Sequence, residues 1–235
     1  MIITFSVKNF RSIRDKVCLD FRATSDKTLS EYYIHEIEKP KLRVVKMAMI
    51  YGKNASGKTN ILLALSYMRK FVLQREKIEK EELIDVEAFA LDREKNTEFE
   101  VQFVADGIVY NYTLIFNGIA IEYESLTHYP KGQEASVFER KLINLKEEPL
   151  YSYSWRGAEL LQGQRKFLEI TPHNRSIISG LGDIEYSGPI QKAREWFRET
   201  LDPIVEPKTS LLAYNVSRYL TNVKDDYNYR KFFID

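Results

Sequence analysis

Apolar and polar residues alternate with period two at the start of the chain. Ile3, Phe5 and Val7 stand against Thr4, Ser6 and Lys8, and Val17, Leu19 and Phe21 repeat the pattern after a turn-like stretch, Arg11 to Asp15. Alternation of this kind turns one side of each segment toward a core, so the pair predicts an antiparallel hairpin. Residues 23–42 are polar, are broken by Pro40, and read as a connection. From Val44 to Tyr51 only Lys46 interrupts the apolar run, the pattern of a strand buried on both faces. Ile61, Leu62, Leu65, Met68 and Phe71 or Val72 then recur at helical spacing, and the charged stretch from Arg75 to Glu82 closes that helix.

The texture changes after residue 96. Phe99, Val101, Phe103 and Ala105 alternate with polar residues, as do Ile108, Tyr110, Tyr112, Leu114 and Phe116, and then Ile119, Ile121 and Tyr123. Asp106-Gly107 and Asn117-Gly118 separate the three runs, and both dipeptides suit type I′ hairpin turns. A three-strand meander is predicted, with a further strand over 136–144. The stretch 146–188 carries no clear period. Gly188-Pro189 opens a helix with Ile190, Ala193, Trp196, Phe197 and Leu201 on one face, stopped at Asp202-Pro203. The tail from Ser210 has helical content and ends on Phe232-Phe233-Ile234, an apolar end that reads as continuing into a further segment. These elements suggest a lobe over 1–145 and a helical extension over 146–235.

Composition narrows the class. The chain has 235 residues, 44% of them apolar, with 15 Tyr and 13 Phe, which argues for packed structure over disorder. Its net charge is +1, so no global field draws it to nucleic acid or a membrane surface. Cys18 is the one cysteine, which excludes an internal disulfide and fits a reducing cytoplasm. No apolar stretch has the length of a spanning helix, and the N-terminus lacks a signal-peptide pattern.

Between the apolar run and the helix lies Gly52-Lys53-Asn54-Ala55-Ser56-Gly57-Lys58-Thr59, which fits G-x-x-x-x-G-K-[ST]. A phosphate loop needs these residue types. Glycines at 52 and 57 permit the backbone angles and close approach by which successive amides meet phosphate oxygens. The helix beginning near Lys58 adds partial positive charge. Lys58 suits the β- and γ-phosphates, and the Thr59 hydroxyl suits Mg²⁺. A chance match in a chain of this length has odds of about one in a hundred, and the flanking strand and helix patterns supply the required context.

The loop with Asn60, preceded some forty residues earlier by Asn9-Phe10-Arg11-Ser12-Ile13, resembles the SMC/RecF/OLD group of ABC-type ATPases. Within that group it looks closest to AAA-family ATP-binding proteins of bacterial defence loci. The resemblance is specific over residues 1–72, extends to about 145, and fades beyond. It implies an α/β P-loop NTPase fold: the N-terminal lobe of an ABC-type head, with an antiparallel β subdomain and a partial helical extension. In such heads two lobes sandwich two ATP molecules. Carried over, Lys58 and Thr59 hold phosphate and Mg²⁺, while Asn54 and Ser56 shape the loop at the γ-phosphate. Arg11 lies near the nucleotide or is an ordinary hairpin-turn residue, and Asn60 serves the site or simply caps and packs.

The group also needs a Walker B strand, four apolar residues followed by Asp-Glu, and a signature loop. Leu83-Ile84-Asp85-Val86-Glu87 has only two apolar residues before its Asp, and Ile178-Ser179-Gly180-Leu181-Gly182-Asp183 reads as a turn rather than a signature loop. By this reading the chain lacks the catalytic carboxylates, and an ATPase activity would belong to the complete head. His35, His128 and His173 are too far apart in sequence to suggest a zinc site. Gln162 or Gln164 matches the γ-phosphate-sensing glutamine of related heads, against a solvated loop as the simpler reading. Lys39, Lys41, Arg43 and Lys46 form a basic cluster that suits a solvated face better than DNA phosphates. The meander tyrosines suit core and cross-strand pairs better than base stacking.

The expectation is an ATP- and Mg²⁺-binding lobe that dimerises with ATP and works in DNA repair or anti-phage defence, with a nuclease or other effector, with DNA, and without a membrane. Two alternatives stay open. One is a P-loop kinase or nucleotidyl-transfer enzyme, against which the long meander argues; the other is a non-catalytic scaffold stabilised by ATP.

Overall fold

The computed structural model describes residues 1–54, 56–74, 82–145 and 149–202, without the side chain of Asp183. The chain divides into two units, Met1–Pro203 and Ile204–Asp235. The second unit lies outside the described residues, and with it the expected tail helix and Phe232-Phe233-Ile234. Ala55 and most of the charged stretch after the first long helix also lie outside them.

Nine strands and five helices make up the described part: β1 Ile2–Lys8, β2 Val17–Asp20, α1 Ser30–Tyr33, β3 Ile34–Ile37, β4 Leu42–Val45, α2 Lys58–Leu73, β5 Thr97–Ala105, β6 Ile108–Phe116, β7 Ile121–His128, β8 Ala135–Asn144, β9 Leu150–Ser154, α3 Gln162–Glu169, α4 Ile177–Gly180 and α5 Pro189–Glu195. A 3₁₀ turn, Leu181–Asp183, follows α4, and a π-type turn, Trp196–Thr200, extends α5. Seven strands form one sheet in the order β2-β1-β5-β6-β7-β8-β9, with every neighbour antiparallel. β3 and β4 pair separately.

The expected hairpin, meander and fourth strand are all present. Asp106 and Gly107 have φ of 50° and 74°, as a type I′ turn requires. Asn117-Gly118 departs from its expected type. Its loop runs over four residues, closed by Asn117 N–H to the Ala120 carbonyl and by the Asn117 side-chain oxygen accepting from the amides of Ile119 and Ala120. The side chain supplies the turn that the backbone was expected to make.

One sheet face carries the main core. Phe5, Val7, Phe99, Val101, Tyr112, Leu114 and Phe116 meet Ala64, Leu65, Met68, Phe71 and Val72 of α2. Ring packing is dense here: Phe71 lies 5.3 Å from Phe116, and Phe10 lies 5.6 Å from both Tyr67 and Phe99. Farther along, Trp196 stacks on Phe103 at 4.0 Å. A smaller core on the opposite face joins Ile3, Val109, Ile37 and Val44. Ile3 reaches that face because the register against β5 shifts between Ile2 and Thr4, a bulge that turns one side chain over.

The clearest departure is at residues 44–51. The run forms strand only as far as Val45, and Val44 alone is fully buried. Met47, Met49 and Tyr51 are 58%, 63% and 82% exposed. A strand buried on both faces needs neighbours on both edges, and no described strand pairs with 46–51. The segment 23–42, read as a plain connection, holds α1 and β3 instead.

Candidate functional site

α2 begins at Lys58, directly after Gly57, whose φ of 87° lies in the left-handed region that glycine enters freely. Its first turn carries no acidic residue, so the partial positive charge at the helix start is uncompensated. The ammonium of Lys58 closes the loop on itself. Nζ donates to the carbonyls of Gly52 at 2.8 Å and Lys53 at 2.7 Å, and reaches Ser56 Oγ at 3.4 Å. A Cβ on Gly52 would come within 2.8 Å of Ser56 Oγ, and one on Gly57 within 3.3 Å of Ser12 Oγ. Gly57 is required by its left-handed backbone, whereas at Gly52 a Cβ would oblige the Ser56 hydroxyl to move. Gly52, Lys53, Asn54, Ser56 and Thr59 are exposed; Gly57, Lys58 and Asn60 are half-buried. Ala55 lies outside the described residues.

The contact between this loop and the β1–β2 turn is made by Ser12. Asn60 Nδ2 donates to Ser12 Oγ at 2.6 Å, so Asn60 ties the helix start to that turn. Arg11 points elsewhere: its guanidinium meets Glu87 Oε1 at 2.7 Å, and its N–H donates to the Glu87 carbonyl at 2.7 Å. Sequence reasoning singled out Arg11 and passed over its neighbours Ser12 and Asn9, although all three stand in the same quoted string.

Asn9 is the hub of the turn. It is buried, its Nδ2 donates to the carbonyls of Asp92, Lys95 and Asn96, and its Oδ1 accepts from the amide of Phe89. Asp92, bridged by Lys95 and by Arg14, is held below the usual carboxylate range by those two cations. One side chain thus fastens the irregular segment 84–96 to the turn that touches the loop 52–60. Asn9→Ala is expected to destabilise the fold by about 1–3 kcal/mol, because buried carbonyls lose their donor; urea unfolding measures it, and an unchanged midpoint would contradict the assignment.

The remaining candidates have structural settings. Leu83 to Glu87 forms no strand, and Asp85 lines a small cavity of about 180 Å³ with Phe10, Tyr67 and Lys70. Ile177–Leu181 is buried, in α4 and the start of the 3₁₀ turn, and Gly182 is exposed. Gln164 caps α3, accepting from Leu161 N–H and donating to the Glu185 carbonyl, while Gln162 is exposed. Arg43 and Lys46 donate to the carbonyls of Thr24, Asp26 and Glu31. Among the described residues no three His, Cys, Asp or Glu side chains gather as metal ligands. No described helix is long and apolar enough to cross a membrane.

A protein-family model described as "AAA domain, putative AbiEii toxin, Type IV TA system" matches residues 47–220, about three quarters of the chain. No curated protein matches the chain.

Proposed function

The chain belongs to this AAA domain family, and we propose that residues 52–59 bind Mg-ATP as the N-terminal lobe of an ABC-type head. An ATP-binding, ATPase-like role follows from the family; the head architecture is the finer reading. The observation that supports it is the closed loop around Lys58, with two glycines at positions where a Cβ would crowd a serine hydroxyl. Those residues fit a triphosphate. Lys58 would hold the β- and γ-phosphates and Thr59 the Mg²⁺, with Gly52, Lys53, Asn54, Ala55, Ser56 and Gly57 forming the bend and Asn60 fixing it to Ser12. Bound Mg²⁺ neutralises phosphate charge. The loop itself supplies positioning and positive potential and carries no group suited to activate water.

The reading assigns the catalytic carboxylates to a complementary lobe, and the non-strand apolar segment 46–51 after β4 supports it. An apolar run with exposed side chains and no described strand partner is the place where further strands would add. ATP-driven dimerisation, a nuclease or other effector, and work on DNA in repair or anti-phage defence are further parts of the proposal, carried by resemblance to the group. The long antiparallel sheet favours this reading over a kinase.

Calorimetry and a turnover assay on the same protein test it. The chain is expected to bind ATP more tightly with Mg²⁺ than without, with turnover near the uncatalysed rate. Thr59→Ala is expected to lose the Mg²⁺-dependent gain, about tenfold, the equivalent of one charge-assisted contact. Turnover by this chain alone that disappears in Thr59→Ala would refute the assignment of the carboxylates to another lobe. No ATP binding at all would refute the reading itself.

A further inference from the structure

A cavity lies against Arg11 of the β1–β2 turn and the segment 86–97. It measures about 580 Å³ and is lined by Arg11, Glu87, Arg93, Lys95, Thr97 and Asn117, among others. Its volume falls in the range of small-molecule sites. Three cations face one carboxylate across it. Arg11 is matched by Glu87, and Lys95 by Asp92 at 2.7 Å. Arg93 is exposed and has no carboxylate partner among the described residues.

The walls are fixed rather than fluid. Asn9 holds the segment carrying Arg93 and Lys95 with three carbonyl bonds, Thr97 Oγ1 donates to the Asn9 carbonyl, and Ile84 N–H donates to the Gly118 carbonyl. Asn9 and Arg11 sit at φ of 53° and 50°, left-handed positions that non-glycine residues seldom take. A backbone held in such a conformation at two nearby positions is over-determined by its surroundings, as at ligand sites. Here it places Arg11 at the mouth of the cavity while Ser12 faces the phosphate loop.

We propose that this cavity binds a phosphate group, with Arg93 as its principal contact and Arg11 and Lys95 completing the positive rim. A guanidinium with no internal partner is free to take two phosphate oxygens at once, which an ammonium cannot do in that geometry. The phosphate belongs either to a small phosphorylated molecule or to a nucleic-acid strand. The site stands independently of the triphosphate reading, since neither Arg93 nor Lys95 touches residues 52–60.

The test uses the Lys58→Ala chain, so that the phosphate loop contributes little, and the Arg93 comparison within it isolates the cavity. Pyrophosphate is titrated by calorimetry, and a fluorescein-labelled oligothymidylate by anisotropy. At least one probe is expected to bind, and adding Arg93→Ala is expected to weaken it about fivefold or more, as the loss of one charge-assisted contact does. Arg93→Lys is expected to recover only part of the affinity, because it keeps charge without the fork. Pyrophosphate binding alone assigns a small ligand. Oligonucleotide binding that falls steeply with salt assigns a strand backbone. Binding of neither probe, or binding indifferent to Arg93, overturns the proposal; Arg93 is exposed and has no carboxylate partner among the described residues, so its removal leaves the fold intact for the comparison.

Discussion

Replacing Lys58 by alanine is expected to weaken ATP binding about 100-fold while leaving the fold standing, since two charge-assisted contacts to phosphate are worth about 3 kcal/mol together and each 1.4 kcal/mol is tenfold. In the structure the ammonium satisfies itself on the carbonyls of Gly52 and Lys53. Both contacts lie in an exposed loop, where such bonds add little to global stability. Alanine is also the best helix former at the first position of α2. The urea midpoint should therefore stay within about 0.5 kcal/mol of the parent, as for surface substitutions generally. Calorimetry for affinity and urea unfolding for stability separate the two effects. Equal affinity in the two proteins would contradict the role given to Lys58, and gross unfolding would contradict its placement in a solvated loop.

Arg140→Met is expected to do the reverse, costing about 3–5 kcal/mol because it strands a buried carboxylate. Arg140 and Glu124 are both fully buried. The guanidinium donates to the carbonyls of Thr171, Pro172 and Arg175, lies 4.0 Å from Glu124 Oε2, and sits over the Tyr151 ring at 4.0 Å. Glu124 accepts from the amide of Ile177 at 2.9 Å and from the Tyr112 hydroxyl at 2.9 Å. The pair thus fastens the segment 171–177 to the sheet. Burial outweighs Arg140 and the hydrogen bonds, so the Glu124 carboxyl titrates above its ordinary range. With the folded value above the unfolded one, its contribution is fully present below the unfolded pKa, near 4.3 for Glu, and fades as pH rises through the folded one. The stability gap between the parent and Glu124→Gln should therefore shrink from acid toward neutral pH. A gap that widens over that interval would contradict the sign.

Much of the sheet was legible because strands such as β5 alternate cleanly, as Phe99, Val101 and Phe103 do, whereas β9 lies in the stretch 146–188 that carries no clear period. The motif at 52–59 stood out because it fixes residue types at set spacing, and the structure places a left-handed Gly57 and the start of α2 there. Other features were not. Val44 to Tyr51 has the pattern of a buried strand, yet pattern alone cannot say whether neighbouring strands are present, and none of the described strands pairs with 46–51. The pairing of β3 with β4 rests on short segments, four residues each, with little periodicity to read. The roles of Asn9, Ser12, Glu124 and Arg140 depend on partners distant in sequence, in the case of Asn9 more than eighty residues away, and nothing local announces them. Asn117 shows a subtler failure: Asn-Gly suits a tight hairpin, but the same side chain also closes a wider loop, and here the bulge between Ile115 and Phe116 accompanies the wider one.

The most direct check on the triphosphate reading is residue-resolved. Backbone amide NMR shifts of the isotope-labelled chain, recorded as Mg-ATP is added, should change most at Gly52 to Asn60 and next at Ser12, with the β7–β8 region unmoved. Saturable binding that leaves those loop amides unshifted and perturbs another surface would contradict it.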